Sequence, residues 1–224
     1  METGVYNMND RSFKYNGSAC EMNTETRGPA SGRDKKAAQR KQAILDAALQ
    51  CFLEKGYHQT GVRDIAKCAG VSLGNLYNHF PGKHDVLVEI AALERLELEP
   101  FLKLLRSEKA AETTLERFVT DYARYLARAE NVMLTIEISS EAVRKEDIGA
   151  LFSANRRELV AALTQVLERG MTDGRFRNVH DAKEYAEIIL DLVEGAAYRS
   201  HLGASAIRKH LKALKAFIAA ALLA

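Results

Sequence analysis

Between Val62 and Phe80 the chain must form a helix, stop, turn and start another within a few residues. Val62 to Ala69 sets Ile65, Ala66 and Ala69 on one face, and Gly70 follows as a C-terminal stop. Ser72 then stands as the N-cap of a second short helix that carries Leu73, Leu76 and Phe80 inward. Two short helices joined through Gly70-Val71-Ser72 predict a helix-turn-helix. Upstream, Ile44, Ala47, Ala48, Cys51 and Phe52 recur at spacings of three and four until Gly56, which predicts a longer helix starting near Lys35.

Everything downstream also reads as helix. Lys83 opens a segment to about Leu98, where an interruption is expected near Pro100, because proline lacks an N–H donor and disfavours helix in the residue before it. Further helices are predicted over 101–107, 114–129, 132–144, 148–171, 181–202 and 206–223, with turn chemistry at 170–178 and 203–205. No stretch alternates with a period of two. The fold class is therefore all-α: a three-helix helix-turn-helix domain over 33–82, then a larger helical domain over 83–224. Residues 1–32 are polar, rich in Asn, Ser, Thr and Gly, and lack an apolar period, so a disordered tail is expected. Met22 offers an alternative start, an ambiguity over residues 1–21 that the intact mass of the native protein resolves.

The formal net charge of +2 hides an asymmetry: residues 27–84 carry +6, the first 26 carry −2, and the remaining 140 carry −2. One end of the molecule suits a polyanion. With helical residues 100° apart and Leu76 facing the core, Gly74 and Asn78 point away and Asn75 and Tyr77 lie on the flanks. Glycine adds no bulk and asparagine pairs bidentately with an adenine edge, so this face fits the major groove of double-stranded DNA. The candidate contacts are Thr60, Arg63, Ser72, Leu73, Gly74, Asn75, Tyr77, Asn78, His79 and Lys83. Tyr77 and His79 suit the sugar-phosphate backbone, Arg63 a guanine or a phosphate, and Lys83 adds charge where a helix N-terminus already favours phosphate. A solvated polar face is the competing reading of Asn75 and Asn78. Likewise, the basic run from Arg33 to Lys41 is either a solvated helix start or an arm tracking phosphates.

The run from Tyr57 to Lys83 resembles the DNA-binding segment of the tetracycline-repressor (TetR) family of bacterial transcriptional regulators. The likeness rests on Thr60, Val62, Ile65-Ala66, Ala69-Gly70-Val71-Ser72, Gly74, Leu76-Tyr77, His79-Phe80 and Lys83, each in the family's order. Thr60-Gly61 departs from the two threonines of many relatives, so a cap or phosphate contact is expected from Thr60 or a backbone amide instead. The resemblance implies a homodimer on a palindromic operator, most often a repressor, and a small-molecule effector held among the central helices. Phe118, Tyr122 and Tyr125 share one helix face, and with Met133, Glu137, Asn155 and Tyr198 they are the candidate effector contacts, plain core being the alternative. Ile207, Leu211, Leu214 and Ile218 form a heptad-like seam, and Tyr185, Ile189, Leu192 and Ala196 repeat the rhythm one helix earlier. Two such helices from each of two chains would build a four-helix dimer interface; packing within one chain is the alternative.

Other classes find less support. Cys20, Cys51 and Cys68 sit in no CxxC or metal-ligand spacing, and the six histidines have none either, so no metal or cofactor is expected and a reducing cytoplasm fits. A redox-sensing thiol pair is the alternative to incidental cysteines. There is no nucleotide-binding glycine loop, HExxH or nucleophile elbow, so the chain is not expected to be an enzyme. The rival functions are a helical-bundle enzyme with a site invisible to motifs, and a ligand-independent structural or cell-division factor on the same scaffold. No apolar run approaches the roughly 20 residues of a bilayer span, and the N-terminus lacks a signal-peptide core.

Overall fold

The apolar spacing around the predicted helix-turn-helix closes a small core. The computed structural model describes residues 32–202 and 207–223. The expected tail, with Cys20, and the turn at 203–205 lie outside the described residues. Helix α1 (Gly32–Lys55), α2 (Val62–Cys68) and α3 (Leu73–Tyr77) bury Ile44, Ala48, Phe52, Ile65, Leu76 and Phe80 against one another. Each large side chain so enclosed stabilises the head by roughly 1.5–3 kcal/mol. Gly56 ends α1 with φ +81° and Gly70 follows α2 with φ +65°, a region that costs glycine little. At Gly70 the Val71 N–H donates to Ala66 C=O at 3.0 Å and the Gly70 N–H to Lys67 C=O at 3.2 Å, a Schellman pair that forces the turn.

Helix α4 (Lys83–Leu105) belongs to two cores. Val86, Leu87, Ile90 and Ala91 complete the first, while Leu98, Leu102 and Leu105 enter the second. The expected interruption does not occur: Pro100 stands inside α4, and 83–98 and 101–107 are one helix ending at Leu105. Proline inside a helix costs about 3 kcal/mol. Buried leucines on both sides of it and the Arg95 guanidinium, paired with Glu99 at 3.0 Å and Glu158 at 2.8 Å, hold the helix through that cost.

The second core is a bundle of α5 (Ala111–Leu126), α6 (Ala129–Ala142), α7 (Glu146–Thr172), α8 (Ala182–Leu202) and α9 (Ile207–Leu222) with the far half of α4. Helix α5 packs against α4, α7, α8 and α9, placing Phe118, Val119 and Tyr122 at its centre with Leu163, Val166, Leu190 and Val193. Helix α6 and the start of α7 reach the other way, burying Ile138 and Ile148 in the first core. Among the described residues there is no strand; one bridge between Phe176 and Leu223 and the Arg177 N–H to Leu222 C=O bond of 2.8 Å tie down the end of α9. Among them, too, no helix is long and apolar enough to cross a membrane.

Candidate nucleic-acid interface

Local hydrogen bonds set the angle at which α3 is presented. Ser72 Oγ accepts the Asn75 N–H at 3.2 Å, the N-cap its position called for. At the start of α2, Gly61 has no side chain to cap with, and its own N–H donates to Asp64 Oδ2 at 2.9 Å. That bond, together with the Lys55 ammonium 3.1 Å away, holds the Asp64 carboxyl below its ordinary pKa.

The outward face of α3 is as expected: Gly74, Tyr77 and Asn78 are exposed, and Leu76 is fully buried. Asn75 and His79 sit at the margin, and Asn75 Oδ1 is enclosed with no hydrogen-bond partner. Leu73 is half-buried, and Ser72 and Arg63 are exposed. A Cβ at Gly74 would meet nothing within 4 Å, and the residue does not have positive φ. Nothing inside the chain therefore demands glycine there, although glycine weakens a helix by about 1 kcal/mol relative to alanine.

Two candidates face inward instead. Thr60 is 1% exposed, and its hydroxyl lies 2.8 Å from the Gly56 carbonyl and 3.1 Å from that of Cys51, donating within the turn between α1 and α2. Its N–H meets Tyr57 C=O at 3.3 Å, so neither of its donors is left for phosphate. Lys83 donates from Nζ to Tyr57 C=O at 2.7 Å and lies 4.2 Å from the Tyr57 ring centroid, with burial lowering its pKa. It braces the turn from beneath rather than projecting from α4. The basic start of α1 is exposed at Lys35, Lys36 and Arg40, while Lys41 pairs with Glu89 on α4.

The expected effector residues do not make one site. Phe118, Tyr122 and Tyr125 do stand together, and Phe101 of α4, which periodicity alone did not single out, joins them: its ring lies 5.1 Å from Tyr122 and 5.2 Å from Tyr125. Phe118 and Tyr122 stack at 5.2 Å, so these rings fill space against one another. Asn155, buried, donates to Glu94 Oε2 at 3.2 Å, and burial pushes the Glu94 carboxyl up to about 6. Burial above all, then Glu194 and Glu94, opposes ionisation of the Tyr122 phenol, and Glu194 is paired with Arg156 at 2.7 Å. Met133 and Tyr198 are exposed, and Glu137 points to the reading head, where its Oε2 accepts the Tyr57 N–H at 2.9 Å. Two clefts, about 290 Å³ between α5 and α9 and about 610 Å³ between α7 and α8, are lined by none of the expected effector residues.

The predicted dimer seam is likewise turned inward. Ile189, Leu211, Leu214 and Ile218 are buried within the single chain, and Tyr185, Leu192, Ala196 and Ile207 pack half-buried on the same core. A heptad reports a buried face without saying what buries it. Among the described residues, the large apolar side chains left exposed on these helices are Ile188 and Tyr198 on α8 and Phe217 on α9, the last 62% exposed.

A short helix with a glycine and asparagine face, fixed on a basic three-helix head, defines a helix-turn-helix DNA-binding protein. Residues 44–90 match the family model for bacterial regulatory proteins of the tetR family, and 111–223 match the C-terminal model of BetI-type transcriptional repressors. The HTH-type transcriptional repressor KstR2 of Rhodococcus jostii is 33% identical over 158 residues, covering 69% of this chain and 76% of that protein. A transcriptional regulator from Saccharomonospora viridis, solved in complex with choline, shares the fold at TM-score 0.75 and 22% identity, over 84% of this chain and 99% of that one. FadR of Bacillus subtilis, solved with stearoyl-CoA, does so at TM-score 0.69 and 19% identity, over 80% and 98%. The chain belongs to the tetR family of bacterial regulatory proteins. It is a DNA-binding transcriptional regulator.

Proposed function

We propose that this regulator is a repressor whose dimer leaves a palindromic operator when a small molecule binds its helical half. The observation that carries the reading is Gly74: a glycine on the outward face of α3 that the protein's own packing does not require, beside exposed Tyr77 and Asn78. Arg63, Ser72, Leu73, Gly74, Asn75, Tyr77, Asn78 and His79 meet the duplex, with Thr60 and Lys83 fixing the turn behind them. Residues 33–82 act as the reading head and 83–224 as the responsive half, the protein works in the cytoplasm, and it carries no catalysis. Two copies join through the open faces of α8 and α9 at Ile188, Tyr198 and Phe217. Twofold symmetry then sets the half-sites one or more helical turns apart, about 34 Å per turn.

The effector site lies around Phe101, Phe118, Tyr122 and Tyr125, where Glu94 supplies negative charge beside aromatic faces and Glu194 is held by Arg156. A carboxylate beside aromatic faces suits an organic cation. Of the two ligands seen in fold neighbours, it favours a choline-like ammonium over an acyl-CoA, whose phosphates that carboxylate would repel. Selection from randomised duplexes tests the whole reading; an inverted repeat is expected, and no preference for any duplex overturns it. Calorimetric titration with choline and with an acyl-CoA then tests the effector class, which a response to the acyl-CoA alone would refute.

A further inference from the structure

The turn between α1 and α2 is held from three sides. From within the head, the Thr60 hydroxyl bonds the Gly56 carbonyl at 2.8 Å. From α4, Lys83 Nζ bonds the Tyr57 carbonyl at 2.7 Å and lies 3.4 Å from that of His58. From α6, Glu137 Oε2 accepts the Tyr57 N–H at 2.9 Å, and Glu141 Oε1 stands 3.1 Å from His58 Nε2. Glu141 is buried and its Oε1 has no well-directed hydrogen bond, so the imidazole is the nearest group able to meet that charge. The Arg144 guanidinium is 3.9 Å from the same oxygen, at the end of the same helix. Helix α6 is anchored to the head by Ile138, which lies in the first core. The turn it grips leads directly into α2, which carries α3.

We propose that Glu137 and Glu141 are positioning residues for DNA binding: through them α6 clamps the α1–α2 turn. Helix α6 belongs to the half read above as effector-responsive, so the clamp is where a displacement of that half reaches the angle of α3. This rests on the reading of α3 as the DNA-contacting helix. Around His58 the charged groups are Glu141 and Glu137 on α6, Arg144 beyond its end, and Lys83 on α4. The nearby Asp147 of α7 is engaged by His84 at 2.7 Å.

Amide hydrogen exchange in the free full-length protein tests the clamp without DNA. H58Q and E141Q should each speed exchange of peptides covering 56–60, with no further increase in the double variant. E137A should speed exchange at 56–60 about tenfold while leaving α7 and α8 protected, which separates a loosened turn from a failure to fold. Operator affinity should weaken in E137A and recover in E137Q, whose amide oxygen still accepts the Tyr57 N–H. Unchanged exchange at 56–60 in E137A, or single H58Q and E141Q effects that simply add in the double variant, overturns the proposal. Intact clamp behaviour with no binding to any duplex counts against the DNA-binding reading instead.

Discussion

Replacing Gly74 with alanine should move stability and operator affinity in opposite directions. The added methyl meets nothing within 4 Å and the backbone there does not have positive φ, so no strain opposes it. Alanine gains about 0.5–1 kcal/mol over glycine in a helix, the lower figure applying to a helix of five residues. For a chain of this size that is about 1–3 °C in Tm. On DNA the same methyl stands where α3 approaches the groove and pushes the flanking Asn75 and Asn78 outward. Loss of one bidentate base contact costs about 1–3 kcal/mol, or about 5- to 150-fold in Kd. Fluorescence anisotropy on the selected operator at two or more salt concentrations reads both the loss and its origin: the slope of log affinity against log salt should stay as it is, because phosphate contacts are retained. A G74A protein that binds within twofold of the parent, or that is less stable than it, refutes the reasoning.

Removing the Thr60 hydroxyl with T60V leaves the Gly56 carbonyl of the turn short of its donor and should destabilise the head by about 1–3 kcal/mol, measured by urea unfolding. Burial lifts the Glu94 carboxyl to about 6, so the folded state binds its proton more tightly than the unfolded chain does. The stability this contributes is full below the unfolded value and is lost as pH rises through about 6. E94Q should therefore raise stability at pH 8 by on the order of 2 kcal/mol and change it little at pH 4; an equal effect at both would contradict the assignment. F217D places a charge on the most exposed large apolar side chain of α9 and should give a monomer at micromolar concentration by light scattering. A dimer that survives it would place the interface elsewhere.

The reading head was legible in the sequence because its determinants are local. Gly56, Gly70 and Ser72 act within a turn of where they stand, and Leu76 fixes the phase of its neighbours without reference to the rest of the molecule. Pro100 misled because its cost is met by what Leu98 and Leu102 pack against and by an ion pair from Glu158 of α7, partners that a window around residue 100 does not contain. The seams of α8 and α9 were found in the correct phase, but burial against one's own chain and against a second copy leave the same heptad, so the rhythm alone does not say what covers it. Glu137 was sought in a pocket, whereas the amide it binds lies 80 residues away in sequence. Glu94 did carry a signal: it falls in step with Leu87, Ile90, Ala91, Leu98 and Leu102, an acid in an apolar register.

Because α4 contributes its first half to one core and its second half to the other, its length is a phase constraint as well as a distance. Deleting or inserting one residue between Ala91 and Leu98 would rotate one apolar face by about 100° against the other and advance it by about 1.5 Å, so that only one core could close. Seven residues together bring the phase back to within about 20° while lengthening the rod by about 10 Å. Length variation along this helix should therefore be confined to near-whole heptads, and even these would change the spacing at which two copies can read a duplex.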